Sequence, residues 1–192
     1  MKYDNLKRDL SFQYNKIIKE YGSQDNIPRI YCDLDGTLCD FVAQLRIITG
    51  KSVSEWDRMK NKWDPVLNTP RFWETIPWHK EGKKLWNFIA PFKPHILTAY
   101  LEKIHDPNCI PGKSKWIRTN LGLSDTSRIH FCRRRDKQFF ALRGNSHREP
   151  SILIDDYLKT VNEFNGRKGL GIYFSTANDA ITRLQKIIDF TT

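Results

Sequence analysis

The chain has 192 residues, of which 39% are hydrophobic and 28% are charged, a balance typical of a globular protein with one core. No stretch approaches the roughly 18 uninterrupted apolar residues that a membrane-spanning helix needs, and residues 1–9 are too charged for a secretory signal. We therefore expect a cytoplasmic protein with no membrane association. Its net charge of +10 favours an anionic partner without specifying the anion.

The first predicted element is an amphipathic helix within residues 1–22, where apolar side chains recur at helical spacing among charges. Five short apolar runs follow along the chain and predict buried strands. They cover residues 29–32, 95–98, 128–132, 151–154 and 170–174. Segments with a helical period separate them, among them residues 83–89, 114–121 and 177–188. Strands that alternate with helices predict an α/β fold with a parallel sheet covered by helices on both faces.

Residues 50–78 break this alternation, because aromatic residues and prolines are concentrated there. The aromatic residues are Trp56, Trp63, Phe72, Trp73 and Trp78. We interpret the segment as a small cap inserted into a core domain formed by residues 1–49 and 79–192. The alternative is that these aromatic residues form an ordinary secondary core.

The strongest chemical signal is the segment Asp33-Leu34-Asp35-Gly36-Thr37, which directly follows the first of the five predicted strands. Parallel sheets bind ligands at the carboxyl ends of their strands, which makes this position informative. Two carboxylates one residue apart repel each other unless a cation lies between them. Mg²⁺ suits such a site because it prefers hard oxygen ligands. Gly36 would allow the chain to turn sharply after the acidic pair.

The other groups that phosphoryl transfer requires follow the ends of the predicted strands further along the chain. A carboxylate that attacks a phosphate dianion needs positive charge and hydrogen-bond donors in place beforehand. Thr98 can donate a hydroxyl hydrogen bond to phosphate, and Lys137 can neutralise both Asp33 and the phosphate. Asp156 would complete the carboxylate set of the metal, with Asp155 beside it as a supporting residue or occasional ligand.

The order of these residues resembles the four motifs of the haloacid dehalogenase superfamily. The motifs correspond here to residues 33–37, Thr98, Lys137 and the pair Asp155-Asp156. Within the superfamily, the chain is most similar to the 5'(3')-deoxyribonucleotidases, including their bacterial and phage relatives. Three further features carry this likeness: Phe41, residues 112–117 and the triplet Arg135-Asp136-Lys137. Residues 112–117 resemble the Lys-x-x-Trp helix of that family.

The resemblance implies a Rossmann-like parallel sheet flanked by helices, with a small, mainly helical cap inserted after the first motif. It also implies a Mg²⁺-dependent phosphomonoesterase that dephosphorylates nucleoside monophosphates through an aspartyl-phosphate intermediate. Asp33 would be the nucleophile, and Asp35 the general acid and then the general base. The implied ligands of Mg²⁺ are Asp33, Asp35 and Asp156. Asp155 would stand close to the metal.

The same resemblance suggests which residues contact the substrate. The expected contacts are Phe41, Thr98, Lys113, Lys137, Phe72 and Trp73, the last two as stacking partners of the base. Lys113 and Lys137 are competing candidates for the motif lysine, whose role is both catalytic and phosphate-binding. We prefer Lys137, because it follows a predicted strand directly and belongs to the Arg-Asp-Lys triplet. Ala99 stands where the family commonly has a serine that binds phosphate.

Two other functions are open at this point. The net charge and the segment Arg133-Arg134-Arg135 motivate a phosphatase for the 3' ends of polynucleotides, whose affinity would fall steeply with added salt. The charge and the aromatic residues of segment 50–78 motivate an inactive nucleic-acid-binding module of the same fold. Nucleic acid is thus an alternative partner that we do not favour over a nucleoside monophosphate. The sequence leaves the oligomeric state open, with a dimer among the options.

Overall fold

The computed structural model describes residues 27–101, 106–145 and 148–189. The amphipathic helix predicted within residues 1–22 lies outside these ranges.

The described residues form a five-stranded sheet in which all neighbouring strands are parallel, in the order β3-β2-β1-β4-β5. Each strand lies within one residue of its predicted ends, so the strand predictions are confirmed. The strands are β1 (Ile30–Cys32), β2 (His95–Ala99), β3 (Ile129–Cys132), β4 (Ile152–Asp155) and β5 (Leu170–Tyr173). This order matches the first five strands of a doubly wound sheet, in which ligands bind beside the first and fourth strands.

Helices follow the strands as the sequence predicts. The longer ones are α1 (Phe41–Thr49), α4 (Gly82–Ile89), α5 (Cys109–Leu121), α6 (Leu158–Gly166) and α7 (Ala177–Asp189). Helix α5 begins five residues earlier than the predicted segment 114–121. Pro111 permits this start because it lies in the first turn, where a missing N–H group removes no helical hydrogen bond. The predicted α/β class with a Rossmann-like parallel sheet is therefore confirmed.

The regular elements within residues 50–78 are short helices, in keeping with the predicted helical character, but turns and irregular segments make up more than half of this stretch. The stretch contains α2 (Val53–Asp57), α3 (Asp64–Leu67) and a 3₁₀ turn at Phe72–Glu74. The Ser52 hydroxyl accepts a hydrogen bond from the Glu55 N–H group, and the Glu55 carboxylate accepts one from the Ser52 N–H group, which starts α2 with a capping box. Trp56 and Phe72 belong to the same buried cluster as the strand residues, so they extend the main core rather than form a second one. The division of the chain into core and cap domains stays a prediction.

Within the described ranges, we find no helix that is both long and apolar enough to cross a lipid bilayer.

A pair of histidines joins β2 to β3 on one face of the sheet. His95 Nδ1 lies 2.9 Å from His130 Nε2, and the two rings are parallel to within 2°. The edge of the Tyr31 ring meets both imidazoles. Burial and the neighbouring charges of Arg29 and His130 lower the pKa of His95 to about 4, and burial also lowers the pKa of His130. Above about pH 4 the His95 ring is therefore neutral, and the two imidazoles share one hydrogen bond.

We expect the histidine pair to make folding stability fall as the pH decreases from about 6.5 to about 4. The unfolded chain binds a proton at His95 in this window and the folded chain does not, so acid favours unfolding. Because the ring is partly exposed, solvent screens the interaction and the loss is on the order of 1–2 kcal/mol. Urea unfolding at several pH values checks this. The difference in stability between wild type and His95→Gln should shrink on acidification, and a constant difference would contradict the prediction.

Candidate functional site

Asp33 lies at the carboxyl end of β1, where the sheet holds it against β4. Its N–H group donates to the Ile154 carbonyl at 2.9 Å, and its Oδ1 accepts from the Leu34 N–H group at 2.7 Å. Gly36 turns the chain two residues past Leu34 with a φ of +78°, in the left-handed region that favours glycine. A Cβ atom at this position would also collide with the Asp156 carboxylate. Glycine therefore permits both the turn and the close approach of the β4 loop.

Lys137 bridges two of the acidic residues. It lies in a 3₁₀ helix, Arg134–Phe140, that directly follows β3, and only 2% of the residue is exposed. Its Nζ is 2.7 Å from Asp33 Oδ1 and 2.8 Å from Asp155 Oδ2. Burial alone would lower the pKa of this lysine, but the charges of Asp33 and Asp155 outweigh burial and raise the pKa. The ammonium group therefore stays charged beside Asp33.

Three carboxylates form a compact group at the ends of β1 and β4. Asp33, Asp155 and Asp156 each offer an oxygen atom, and these atoms lie within 4.8 Å of one another. Burial raises the pKa of Asp156 to about 7, with the Asp155 charge as the next cause. Burial and neighbouring carboxylates also raise the pKa of Asp33 well above its ordinary value, against the lowering effect of Lys137. Such a crowded set of hard oxygen donors fits a divalent cation of the Mg²⁺ type.

Asp155 differs from the other two members because both of its oxygens already have donors. Oδ2 accepts from Lys137, and Oδ1 accepts from the Tyr157 N–H group at 2.9 Å. Asp155 is therefore best suited to hold Lys137 in place, whereas Asp33 and Asp156 are the carboxylates suited to a cation. The role expected of Asp155, as a supporting residue or an occasional metal ligand, stays a prediction.

Asp35 turns its carboxylate away from this group. Its Oδ2 accepts a short hydrogen bond from Lys113 Nζ, and its Oδ1 accepts a weak one from Cys39 Sγ at 3.6 Å. The carboxylate cluster of the described residues does not include Asp35. The metal contact expected of Asp35 stays a prediction, because its side chain is paired with Lys113 instead.

Lys113 reaches the site from α5, and only 2% of the residue is exposed. Besides Asp35, its Nζ donates to the Ala99 carbonyl at 2.6 Å and to Thr98 Oγ1 at 3.2 Å. Burial would lower the pKa of Lys113, but the Asp35 charge outweighs it and raises the pKa. The two lysines, which the sequence treats as competing candidates, therefore both lie in the site. Lys137 pairs with Asp33, and Lys113 pairs with Asp35.

A cavity of about 190 Å³ opens beside Asp35 and Lys113. Its remaining lining residues, mostly aromatic, are Phe41, Trp63, Trp73, Ala99, Tyr100 and Leu101. Three of the substrate contacts expected from the sequence, Phe41, Trp73 and Lys113, thus lie in its wall. Phe72 does not: it is buried and packs edge-on against Phe41 at 5.7 Å and Trp73 at 5.0 Å between ring centroids, which supports the wall from behind.

Sequence reasoning did not single out Trp63 or Tyr100 as wall residues. Tyr100 directly follows β2, so its position at a strand end is a signal that could have identified it. Trp63 carries no such local signal, because its neighbours are short helical segments whose path depends on packing.

Comparisons with known proteins leave the chain without an established family. No family model matches it, and no curated protein matches it. A hydrolase from Streptococcus pneumoniae TIGR4 is a similar solved structure, with 13% sequence identity and a TM-score of 0.46. The match covers 85% of this chain and 100% of the hydrolase. Similarity at this level does not establish an activity for the chain.

We expect Mg²⁺ to stabilise the protein more at pH 8 than at pH 5. Because the pKa of Asp156 is raised to about 7, the folded chain holds a proton there at pH 5 that the unfolded chain has lost. Raising the pH removes this proton. The fold without a cation becomes less stable, and the Asp156 carboxylate becomes able to bind Mg²⁺. At one hundred times its Kd, Mg²⁺ should then add about 2.7 kcal/mol to the free energy of unfolding.

Thermal melts with Mg²⁺ or with chelator at both pH values check this expectation. Asp156→Asn should abolish the Mg²⁺-dependent increase in Tm. Asp57→Asn, which removes an exposed carboxylate paired with Lys62, is the matched control and should keep the increase. An equal increase at both pH values would show that the buried carboxylates do not bind the cation.

Proposed function

We propose that the chain is a Mg²⁺-dependent phosphatase of the haloacid dehalogenase type that hydrolyses nucleoside monophosphates. The observation that carries this proposal is the contact of Lys137 with Asp33 at 2.7 Å, inside a group of three carboxylates and beside an aromatic cavity. The contact supports a site in which a nucleophile, a cationic side chain and a metal-binding group would act together. These are the parts that phosphoryl transfer through an aspartyl phosphate requires.

Asp33 would attack the phosphorus atom, forming a bond from its carboxylate oxygen as the bond to the leaving oxygen breaks. The negative charges of the carboxylate and the phosphate repel each other, and Lys137 offsets this repulsion from a fixed position. The lysine does not need to reorganise, because Asp155 holds it from the other side at 2.8 Å. When bound, Mg²⁺ supplies positive charge to the phosphate oxygens, and Asp33 and Asp156 would hold it.

Asp35 would protonate the leaving oxygen and then take a proton from the water that hydrolyses the aspartyl phosphate. An acid must carry a proton, whereas the Asp35 carboxylate accepts a hydrogen bond from Lys113 in this structure. The phosphate of the substrate offers Lys113 a second anionic partner near Thr98. We therefore infer that Lys113 moves from Asp35 to the phosphate when substrate binds, which frees Asp35 for proton transfer.

The aromatic cavity supports a nucleoside as the leaving group. Rings of Phe41, Trp63, Trp73 and Tyr100 can stack on a planar base, and Asp35 lies at the end of the same cavity. Among the aromatic residues of this wall, Phe41 has no polar side-chain atom, and the Trp73 N–H group donates to Asp106. We therefore expect stacking on the base to contribute more to recognition than hydrogen bonds to the edge of the base.

The structure offers less support for a polynucleotide end as the substrate. Arg134, the central residue of the triplet that motivated this alternative, is bonded to Glu163 at 2.7 Å and lies over the Tyr157 ring. This arginine thus has partners within the fold. The inactive binding module is also less favoured, because Asp33, Asp35 and Lys137 keep an arrangement suited to turnover.

We expect Asp33→Asn to lower phosphate release from thymidine 5'-monophosphate by more than about 10³-fold, because an amide is not a nucleophile for this step. Release of inorganic phosphate in the presence of Mg²⁺ measures the effect. Asp33→Asn keeps an acceptor for Lys137, and a thermal melt should show that the variant is folded. Wild-type rates in a folded Asp33→Asn variant would refute the proposed chemistry.

We expect Trp63→Ala and Tyr100→Ala to lower kcat/KM for thymidine 5'-monophosphate by about tenfold or more, because stacking on a base contributes roughly 1–3 kcal/mol. Rates on glycerol 3-phosphate, which has no ring to stack, should change much less. The small substrate is the internal control, since damage to the fold would lower both rates. A parallel loss on both substrates would argue against base stacking in this cavity.

A further inference from the structure

Asp106 lies outside both the carboxylate group and the lining of the cavity, yet only 4% of it is exposed. It stands just before α5. Its Oδ2 accepts a short hydrogen bond from Trp73 Nε1, and its Oδ1 accepts from the Asn108 N–H group at 2.8 Å. Each carboxylate oxygen therefore has a specific donor, and one of these donors belongs to the segment 50–78.

Burying a carboxylate is costly unless its oxygens are hydrogen-bonded. The position of Asp106 before α5 reduces this cost, because the N-terminus of a helix favours negative charge. A neutral residue would pack here without such a cost. The burial of a charged acceptor thus indicates that the orientation of Trp73 matters, since a hydrogen bond to a charged acceptor is stronger and more directional than one to a neutral group.

The Trp73 ring connects the cavity to the proposed acid. On the cavity side it stacks with Phe41, with ring centroids 5.8 Å apart and an angle of 21° between the planes. Lys113 Nζ lies 4.7 Å from the centroid of the Trp73 ring, and the same ammonium group binds Asp35. Gly112 lets α5 approach closely, because a Cβ atom there would come within 2.6 Å of Trp73 Cβ. Rotation of the indole would alter both the wall and the surface beneath Lys113.

We propose that Asp106 is a positioning residue that sets the substrate selectivity of the site by fixing the indole plane of Trp73. This inference rests on the proposed function, because selectivity presupposes turnover. The Asp106 carboxylate touches neither the cavity nor the reacting groups. It acts through Trp73, whose orientation decides whether the planar base of a nucleoside fits beside Phe41 and whether Lys113 is held over the ring.

The test compares kcat/KM for thymidine 5'-monophosphate with kcat/KM for glycerol 3-phosphate. In Asp106→Ala we expect the ratio of these values to fall about tenfold, because small errors in positioning cost one to two orders of magnitude. Most of the loss should appear in KM for the nucleotide. Asp106→Asn keeps an acceptor oxygen for the indole and should restore most of the ratio.

Asn120→Ala is the matched control. Asn120 Oδ1 accepts from Trp78 Nε1 at 3.0 Å, so the variant also removes the acceptor of a core indole, but Trp78 does not line the cavity. This control should keep the wild-type ratio. Trp73→Phe keeps a ring and loses the N–H donor, so its ratio should fall as in Asp106→Ala. The double variant should lose no more than either single variant if the two residues act through one hydrogen bond.

An NMR measurement separates this inference from the proposed function. The indole N–H resonance of Trp73, identified by its disappearance in Trp73→Phe, should shift in Asp106→Ala and stay in place in Asn120→Ala. A shifted resonance with an unchanged substrate ratio would overturn the role in selectivity, even if Asp33→Asn is inactive. If Asp106→Ala does not fold, an unchanged ratio in Trp73→Phe would overturn it as well. Full activity of Asp33→Asn would instead refute the phosphatase chemistry.

Discussion

The contacts of the Lys137 ammonium group with two carboxylates are the interaction on which the site depends. Asp33 and Asp155 come from neighbouring parallel strands, and the pairing of Cys32 with Ile154 places both acids at the same edge of the sheet. Carboxylates this close and this buried would repel each other strongly without a cation between them. Lys137 supplies one positive charge from the loop after β3. Asp156, the third carboxylate of the group, forms no ion pair with Lys137, and together with Asp33 it forms the pair that we propose to hold a divalent ion.

A second lysine separates the roles of the two acids in the first motif. Asp33 and Asp35 are only two residues apart, but Lys137 engages the first and Lys113 engages the second. The turn at Gly36 allows this divergence, because it follows the second acid directly and brings the Asp156 loop close. In the proposed mechanism, this divergence would let one acid act on phosphorus while the other faces the leaving group. The separation follows from two buried ion pairs rather than from the spacing of the acids alone.

Segment 50–78 supplies aromatic side chains to the cavity that lies beside the Asp35–Lys113 ion pair. Its aromatic residues belong to the same buried cluster as the strands, so the wall of the cavity is anchored in the core. Trp73 connects the cavity wall to the charged groups, since its ring stacks with Phe41 and the Lys113 ammonium group lies over it. In the proposed function, Trp73 would link recognition of the substrate to proton transfer, and Asp106 binds the Trp73 indole.

The sequence by itself determined the five strands, the α/β class, and the acids and lysines that follow strand ends. Each of these depends on local patterns, since a buried strand is a short apolar run and a parallel sheet gathers its strand ends at one edge. Only the tertiary structure decided that Lys113 joins Lys137 in the site, that Asp35 turns away from the carboxylate group, and that Phe72 lies behind the cavity wall. It also decided that Asp106 binds Trp73, 33 residues away. These features depend on side-chain directions and on contacts between distant segments, which no local periodicity encodes.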